Sequence, residues 1–238
     1  MDIKGKVVLI TGASEGIGLA TARRFAEAGA KLALVARSAA KLEALADELK
    51  AAGAEAISVP SDVSVPEQVK NAVAETVRHY GRIDVLINNA GQSAAGTVAD
   101  VDPDHLRQII DLNIFGPLIA MQAAIPIMRK HGGGLIINVS SMVSKMRLPG
   151  LGAYAATKAA LNLLSDTARG ELAPDNIRVI TIFPRMTATD FGAHSLGRTW
   201  ERQSRHAHPS VPVDSAEHVA NRILDAAINE PEEQYMDR

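Results

Sequence analysis

Short apolar runs alternate along the chain with longer stretches in which apolar residues recur every three or four positions. The runs Val7–Ile10, Lys31–Ala36, Ala56–Val59, Val85–Asn88, Leu135–Val139 and Val179–Phe183 predict strands. Their near-continuous hydrophobicity predicts a parallel sheet covered on both faces. The periodic stretches Gly18–Glu27, Ala40–Ala51, Pro66–His79, Asp104–Lys130, Ala153–Leu172 and Ser215–Ile228 predict helices. Alternation of this kind implies βαβ units with right-handed crossovers. The expected fold is α/β, a doubly wound parallel sheet in three layers, α/β/α. Gly29 and Gly132-Gly133-Gly134 fall between elements, and no Pro/Gly/Ser-rich linker interrupts the pattern. One domain over residues 1–238 is therefore expected. The alternation breaks at about 187–213, and the end of the chain leaves room for a short last strand.

Composition narrows the classes. Apolar residues make up 47% of the 238 positions and charged residues 22%, ordinary values for a globular protein. A net charge of -2 gives no basic excess for nucleic acid or membrane surfaces. The absence of cysteine excludes disulfides, thiolate nucleophiles and Cys-ligated metals, and suits a reducing compartment. Val7–Ile10 is too short for a signal-peptide core, and no later stretch reads as long and apolar enough to span a bilayer. A soluble, cytoplasmic protein is the expectation.

Thr11-Gly12-Ala13-Ser14-Glu15-Gly16-Ile17-Gly18 follows the first strand and opens the first helix. Glycines let a backbone turn tightly against a pyrophosphate, and a helix N-terminus offers it free N–H groups. The spacing is G-x-x-x-G-x-G, at the first βα turn, where α/β sheets bind nucleotides.

Tyr154 and Lys158 stand four residues apart in a predicted helix and share a face. A free tyrosine has a pKa of about 10. An adjacent ammonium favours the phenolate, so Lys158 is expected to lower the Tyr154 pKa and prepare it for proton exchange with an alcohol. Ser140 and Ser141 end a predicted strand at the carboxyl edge of the sheet, where a hydroxyl can bind a substrate oxygen or serve turn geometry. Asn113 lies inside a predicted helix four residues before Pro117, which removes the N–H that would bond the Asn113 carbonyl. That carbonyl can hold a water, or the segment is an ordinary proline kink.

Together these residues resemble the short-chain dehydrogenase/reductase family in its compact, single-domain form, similar to 3-oxoacyl-carrier-protein reductases and related ketoreductases. The resemblance runs from Lys6 to about Pro184. It rests on Thr11-Gly12-x-x-x-Gly16-x-Gly18, Asp62-Val63, Asn88-Asn89-Ala90-Gly91, Asn113, Ser141 and Tyr154-x-x-x-Lys158. Ser141 stands thirteen residues before Tyr154, the family's usual interval, which selects it over Ser140. The resemblance implies a Rossmann-type, NAD(P)-binding domain that moves hydride between a nicotinamide and a ketone or secondary alcohol. It implies Tyr154 as general acid/base, Lys158 as the group that lowers its pKa and binds the nicotinamide ribose, and Ser141 as the group that polarises the carbonyl. It implies Asn113 as the anchor of a water in a proton relay. The cofactor contacts it implies are Gly12, Ser14, Glu15, Gly16, Ile17, Gly18, Asp62, Val63, Asn88, Ala90, Gly91, Tyr154, Lys158, Pro184, Thr187 and Thr189. It also implies a substrate lid at about 187–213 and a homodimer through Asp104–Lys130 and Ala153–Leu172, with a tetramer as the alternative.

An acidic residue at the end of the second strand would favour NAD, and an arginine there accommodates a 2′-phosphate. This strand ends Val35-Ala36-Arg37-Ser38. Arg37 and Ser38 therefore favour NADP(H), with NAD(H) as the alternative, although Arg37 also reads as a solvated charge. Glu15 argues for NAD(H), because relatives that prefer NADP often carry a basic residue in the glycine turn. Two further departures stand out. Arg185 replaces the family's usual glycine after Pro184, placing a cation near the nicotinamide end, where it faces outward or meets an anionic substrate. The lid carries His194, Arg198, Trp200, Arg202, Arg205, His206 and His208, either a basic lid for an anionic substrate or a solvated face. These histidines have no carboxylate or cysteine partners to complete a metal site. Beside the oxidoreductase stands one alternative of another class, a non-catalytic cofactor-binding sensor or scaffold.

Overall fold

A computed structural model describes residues 1–197 and 212–236. Its main sheet has seven strands: β1 (Val7–Thr11), β2 (Lys31–Ala36), β3 (Glu55–Pro60), β4 (Val85–Asn88), β6 (Gly134–Val139), β7 (Ile177–Phe183) and β9 (Glu233–Tyr235). They pair in parallel in the order β3-β2-β1-β4-β6-β7-β9. The chain thus winds outward from β1 in both directions. Between β1 and β4 the direction reverses, and the crevice beyond the strand ends at that point is where such sheets bind ligands. β9 is the short last strand expected, and its Tyr235 ring stacks 4.8 Å from that of Phe183. A second, two-stranded sheet pairs β5 (Ala94–Ala95) with β8 (Leu196–Gly197) and was not foreseen. Two-residue strands carry too short a pattern to read.

Successive strand residues point to opposite faces, so each strand supplies both layers. From β1, Val8 and Ile10 join Phe25 of α1 (Gly16–Glu27), Leu42 and Leu45 of α2 (Ala39–Ala51), and Val219 and Ile223 of α7 (Ala216–Asn229). Leu9 joins the other core, with Val69 and Val73 of α3 (Pro66–Tyr80) and Met121 and Ala124 of α5 (Gly116–Lys130). Leu172, the last residue of α6 (Gly152–Leu172), closes that layer. Ser38 caps α2 by accepting from Lys41 N, and Ser215 caps α7 by accepting from His218 N. Gly81 ends α3 in the left-handed conformation.

The predicted helix Asp104–Lys130 is one helical body with a defect. It comprises α4 (Pro103–Ile110), a π turn at Asp111–Phe115, and α5. The amide of Gly116 bonds Asp111 O, five residues back, so the disturbance near Asn113 is a π turn, with Pro117 inside the first turn of α5. This body, Pro103–Lys130, is long and apolar enough to cross a membrane by length and composition, which corrects the expectation that no stretch is. In this fold α5 lays Ala120, Met121, Ala124 and Met128 on the sheet, which accounts for its apolar stripe.

Candidate active site

The glycine turn crosses the carboxyl end of β1. Gly12 has φ +67, and a Cβ there would stand 2.9 Å from both the Ala90 Cα and Asn89 Nδ2. A Cβ on Gly18 would lie 2.0 Å from Gly12 O. The turn therefore excludes side chains at both positions. Gly16 rests against the Thr189 methyl, Ser14 is half-buried, and Ile17 packs on the core. Glu15 precedes α1 without a side-chain cap bond, so no cap at Glu15 satisfies the first-turn N–H groups of α1. Thr11 and Asn89 brace the turn. Thr11 Oγ1 accepts from the amides of Asn89 and Ala90, and Asn89 Nδ2 donates to the carbonyls of Thr11 and Gly12. Both stand in the quoted motifs, but their bracing role spans 78 residues of sequence, which no local pattern reveals. A dinucleotide pyrophosphate fits this cradle, since a tight turn free of side chains at Gly12 and Gly18 and an uncapped helix start are what it requires.

Other predicted contacts line the same rim. Asp62 accepts from both the amide and hydroxyl of Ser64, and Val63 is buried with its carbonyl against Gly116. Ala90 and Gly91 follow β4. Asn88 is placed differently from expectation. Its side chain is buried and donates to Asn138 Oδ1 at 2.8 Å, leaving its main chain to face a cofactor. Pro184 is buried after β7, Thr187 Oγ1 donates to Arg185 O, and Thr189 lies opposite Gly16.

The chemical end of the groove is built from β6, α6 and the π turn. Lys158 is buried, and its Nζ donates to Val139 O at 2.8 Å. Desolvation holds this amine down at about 8. Tyr154 is buried too, and desolvation pushes its phenol above the ordinary range. The group that pulls the phenol down is the Ser141 hydroxyl. That corrects the expectation for Lys158. Its ammonium lies toward Val139 O, and a Cβ on Gly91 would stand 3.5 Å from it and 3.2 Å from Asn113 Oδ1. Ser141 Oγ accepts from Val143 N at 3.2 Å, which leaves its own hydrogen for an oxygen in the groove. Ser140, by contrast, turns away and donates to Asn162.

Asn113 spends its side chain on structure. Nδ2 donates to Gln92 O at 2.9 Å and to Thr157 Oγ1 at 3.0 Å, while Oδ1 accepts from Gln92 N at 3.0 Å. Thr157 in turn donates to Tyr154 O. The π turn is thereby tied both to the start of α6 and to the segment after β4. What Asn113 can offer a water is its carbonyl, in a turn whose ladder is already displaced.

The adenosine end holds a cluster of charge. Arg37 is exposed at the end of β2, and Ser38 is both helix cap and neighbour. Glu15 meets Lys41 Nζ at 3.0 Å and His194 Nδ1 at 3.2 Å, and the Lys41 bond holds its carboxyl below the usual range. Lys41 was missed because its link to Glu15 spans 26 residues. The segment after β7 reaches across this groove. Gln92 Nε2 donates to His194 O at 2.7 Å, and the Phe191 ring lies 5.6 Å from that of Tyr154. Arg185, expected to face solvent or an anionic substrate, is instead held by Asp214 through contacts of 3.0 and 2.7 Å. That pair ties the chain after β7 to the segment before α7, where Thr187 and Asp214 also form a parallel bridge. Arg198, Trp200, Arg202, Arg205, His206 and His208 lie outside the described residues.

Comparison with known proteins gives a consistent result. The family model described as short chain dehydrogenase matches residues 6–198. An uncharacterised oxidoreductase of Methylorubrum extorquens is 41% identical over 198 residues, 82% of this chain and 78% of that one. The dehydrogenase/reductase SDR family member 7B of Bos taurus is 36% identical over 94% of this chain and 71% of its own. A short chain dehydrogenase/reductase of Burkholderia phymatum in complex with NAD superposes with a TM-score of 0.89 at 28% identity, covering 99% of this chain and 89% of that one. L-sorbose reductase of Gluconobacter frateurii, complexed with NADPH and L-sorbose, gives 0.85 at 32% identity, over 95% and 91%. The chain belongs to the short-chain dehydrogenase/reductase family, a family of NAD(P)-dependent oxidoreductases with this Rossmann-type fold.

Proposed function

We propose that this protein is an NADP(H)-preferring oxidoreductase that interconverts a ketone and a secondary alcohol, with Tyr154 as general acid/base. The observation that carries the reading is the convergence of Ser141, Tyr154, Lys158 and Asn113 at the end of a groove whose other end is the glycine turn. The nicotinamide gives or takes the hydride. Ser141 donates its hydroxyl hydrogen to the substrate oxygen and polarises the carbonyl. In the reductive direction Tyr154 delivers a proton to that oxygen; in the oxidative direction it takes one away. Lys158 keeps two donors beyond its bond to Val139 O, which suit a ribose, and an amine titrating at about 8 can pass protons near neutral pH. Asn113 holds the π turn and offers a carbonyl to a water at the head of the relay. The Phe191 ring closes an apolar side of the substrate space beside Tyr154.

The preference for NADP(H) rests on Arg37 and Ser38 at the end of β2, and Glu15 is the residue that opposes it. Its negative charge would repel a 2′-phosphate, but Lys41 and His194 both contact it and Arg37 stands near. NAD(H) remains the second cofactor. The reading includes a cytoplasmic homodimer, joined where Phe115 and Leu163 stand exposed on the π turn and α6, and a small carbonyl or alcohol as substrate. The test is Tyr154→Phe assayed on a panel of ketones with NADPH and NADH. Turnover is expected to fall by about 10²–10⁴ while cofactor affinity holds. Retained turnover would overturn the mechanism. Cofactor binding by the wild type with no turnover on any carbonyl would favour the sensor.

A further inference from the structure

Ser140 and Ser144 flank Ser141, and both are tied to one residue of the neighbouring helix. Ser140 Oγ donates to Asn162 Oδ1 at 2.5 Å, and Asn162 Nδ2 donates to Ser144 Oγ at 2.9 Å. Ser144 Oγ then donates to the Ser141 carbonyl at 2.6 Å. The bonds run head to tail, so each strengthens the next. Ser140 Oγ also reaches Lys158 O at 3.5 Å.

Asn162 lies one turn beyond Lys158 and two beyond Tyr154, on the same face of α6. It is 9% exposed. Asparagine is a mediocre helix former, and packing alone at such a position is met by an aliphatic residue. The side chain is instead used at both ends for bonds to the serine segment. That segment needs holding. Between β6 and α6 the chain makes only a single 3-10 turn, Met142–Lys145, and Ser141 caps it. Ser141 therefore belongs to the strand side of the connection and Tyr154 to the helix side. Two ties join the sides near the phenol: Lys158 to Val139 O, and the Asn162 chain to Ser140 and Ser144.

We propose that Asn162 is a positioning residue, which fixes the serine segment on α6 so that the Ser141 hydroxyl stays against the Tyr154 phenol. The proposal rests on the reading of Ser141 and Tyr154 given above and extends it to a residue that touches neither substrate nor cofactor.

The test uses the full chain labelled with carbon-13 at the tyrosine ζ position. Only three tyrosines are present, so Tyr154→Phe assigns the Tyr154 resonance. At neutral pH, Asn162→Leu is expected to move that resonance in the direction that Ser141→Ala moves it, with Tyr80 and Tyr235 unchanged. Ser144→Ala, a gentler change outside the core, should reproduce part of the shift. With ethyl acetoacetate and NADPH, Asn162→Leu is expected to lower kcat by about tenfold to a hundredfold while KM for NADPH stays within about twofold. Asn162→Asp keeps the acceptor for Ser140 but loses the donor to Ser144, and should recover only part of kcat. A Tyr154 resonance that stays in place in both Asn162→Leu and Ser144→Ala, while Ser141→Ala moves it, overturns the proposal and leaves the catalytic reading intact. So does a shift that moves all three tyrosines together, the mark of general loosening. If Ser141→Ala itself leaves Tyr154 in place, the contact between serine and phenol fails, and both readings fall.

Discussion

At the glycine turn the groove is shaped by side chains that are missing; at Tyr154 it is shaped by side chains that are buried. The first end is backbone held by backbone and by two polar braces, Thr11 and Asn89. Its tolerance is measured in tenths of an ångström, because the atoms facing Gly12 and Gly18 are main chain or a fixed amide. The second end buries a phenol, an amine and several amides, and its balance depends on protonation and on bonds between elements distant in sequence. One end should therefore fail by steric exclusion and the other by electrostatics, and experiments can separate the two.

The largest effect is expected at the turn. Gly18→Ala would place a Cβ 2.0 Å from a carbonyl oxygen, and is expected to cost about 3 kcal/mol of stability and to abolish cofactor binding. Calorimetry and cofactor fluorescence check this. A variant with wild-type Tm and affinity would mean that the turn is soft.

The next effect concerns charge. Burial lowers Lys158 from 10.5 to about 8, so between those values the folded chain holds fewer protons than the unfolded one. Stability from this residue therefore rises with pH across that window, by on the order of 3 kcal/mol at most. The stability difference between wild type and Lys158→Met, followed by urea unfolding without cofactor, should shift toward the wild type from pH 8 to pH 10.5. A flat difference would show that the amine is not desolvated. The comparison also cancels Tyr154, whose raised pKa acts in the opposite sense above pH 10 and is common to both proteins.

The smallest effect lies on the exposed rim between the two plans. Lys41→Ala leaves Glu15 with one contact fewer, and is expected to reduce kcat/KM for NADPH relative to NADH by roughly two- to fivefold, the scale of an exposed pair. An unchanged ratio would remove Lys41 from the choice of cofactor.

The same contrast explains what could be read from the chain. Strands such as Lys31–Ala36 and Val85–Asn88 were legible to the residue, since burial on both faces leaves a continuous apolar run. The glycine turn, and the placing of Tyr154 and Lys158 on one helix face, were legible because they lie within a few residues of sequence, whereas the bond from Lys158 to Val139 O was not. Contacts that close across the fold were not. The link from Arg185 to Asp214 spans 29 residues, and the one from Asn113 to Thr157 spans 44. Nothing local distinguishes Asn162 from a solvated helix residue. Asn88 shows another limit: the motif gives its position beside the crevice, and only the neighbouring strand reveals that its side-chain amide bonds Asn138.

The π turn at Asp111–Phe115 has a further consequence, in the phase of the helix that contains it. A π turn accommodates one residue more than an α-helical turn, so α4 and α5 share an axis while their stripes are offset around it. α4 can then face α6 while α5 faces α3 and the sheet. Removing one residue here would regularise the hydrogen bonds and rotate one half against the other by about 100°, the step of one residue in a 3.6-residue turn. The irregularity is what lets a single rod serve two neighbours.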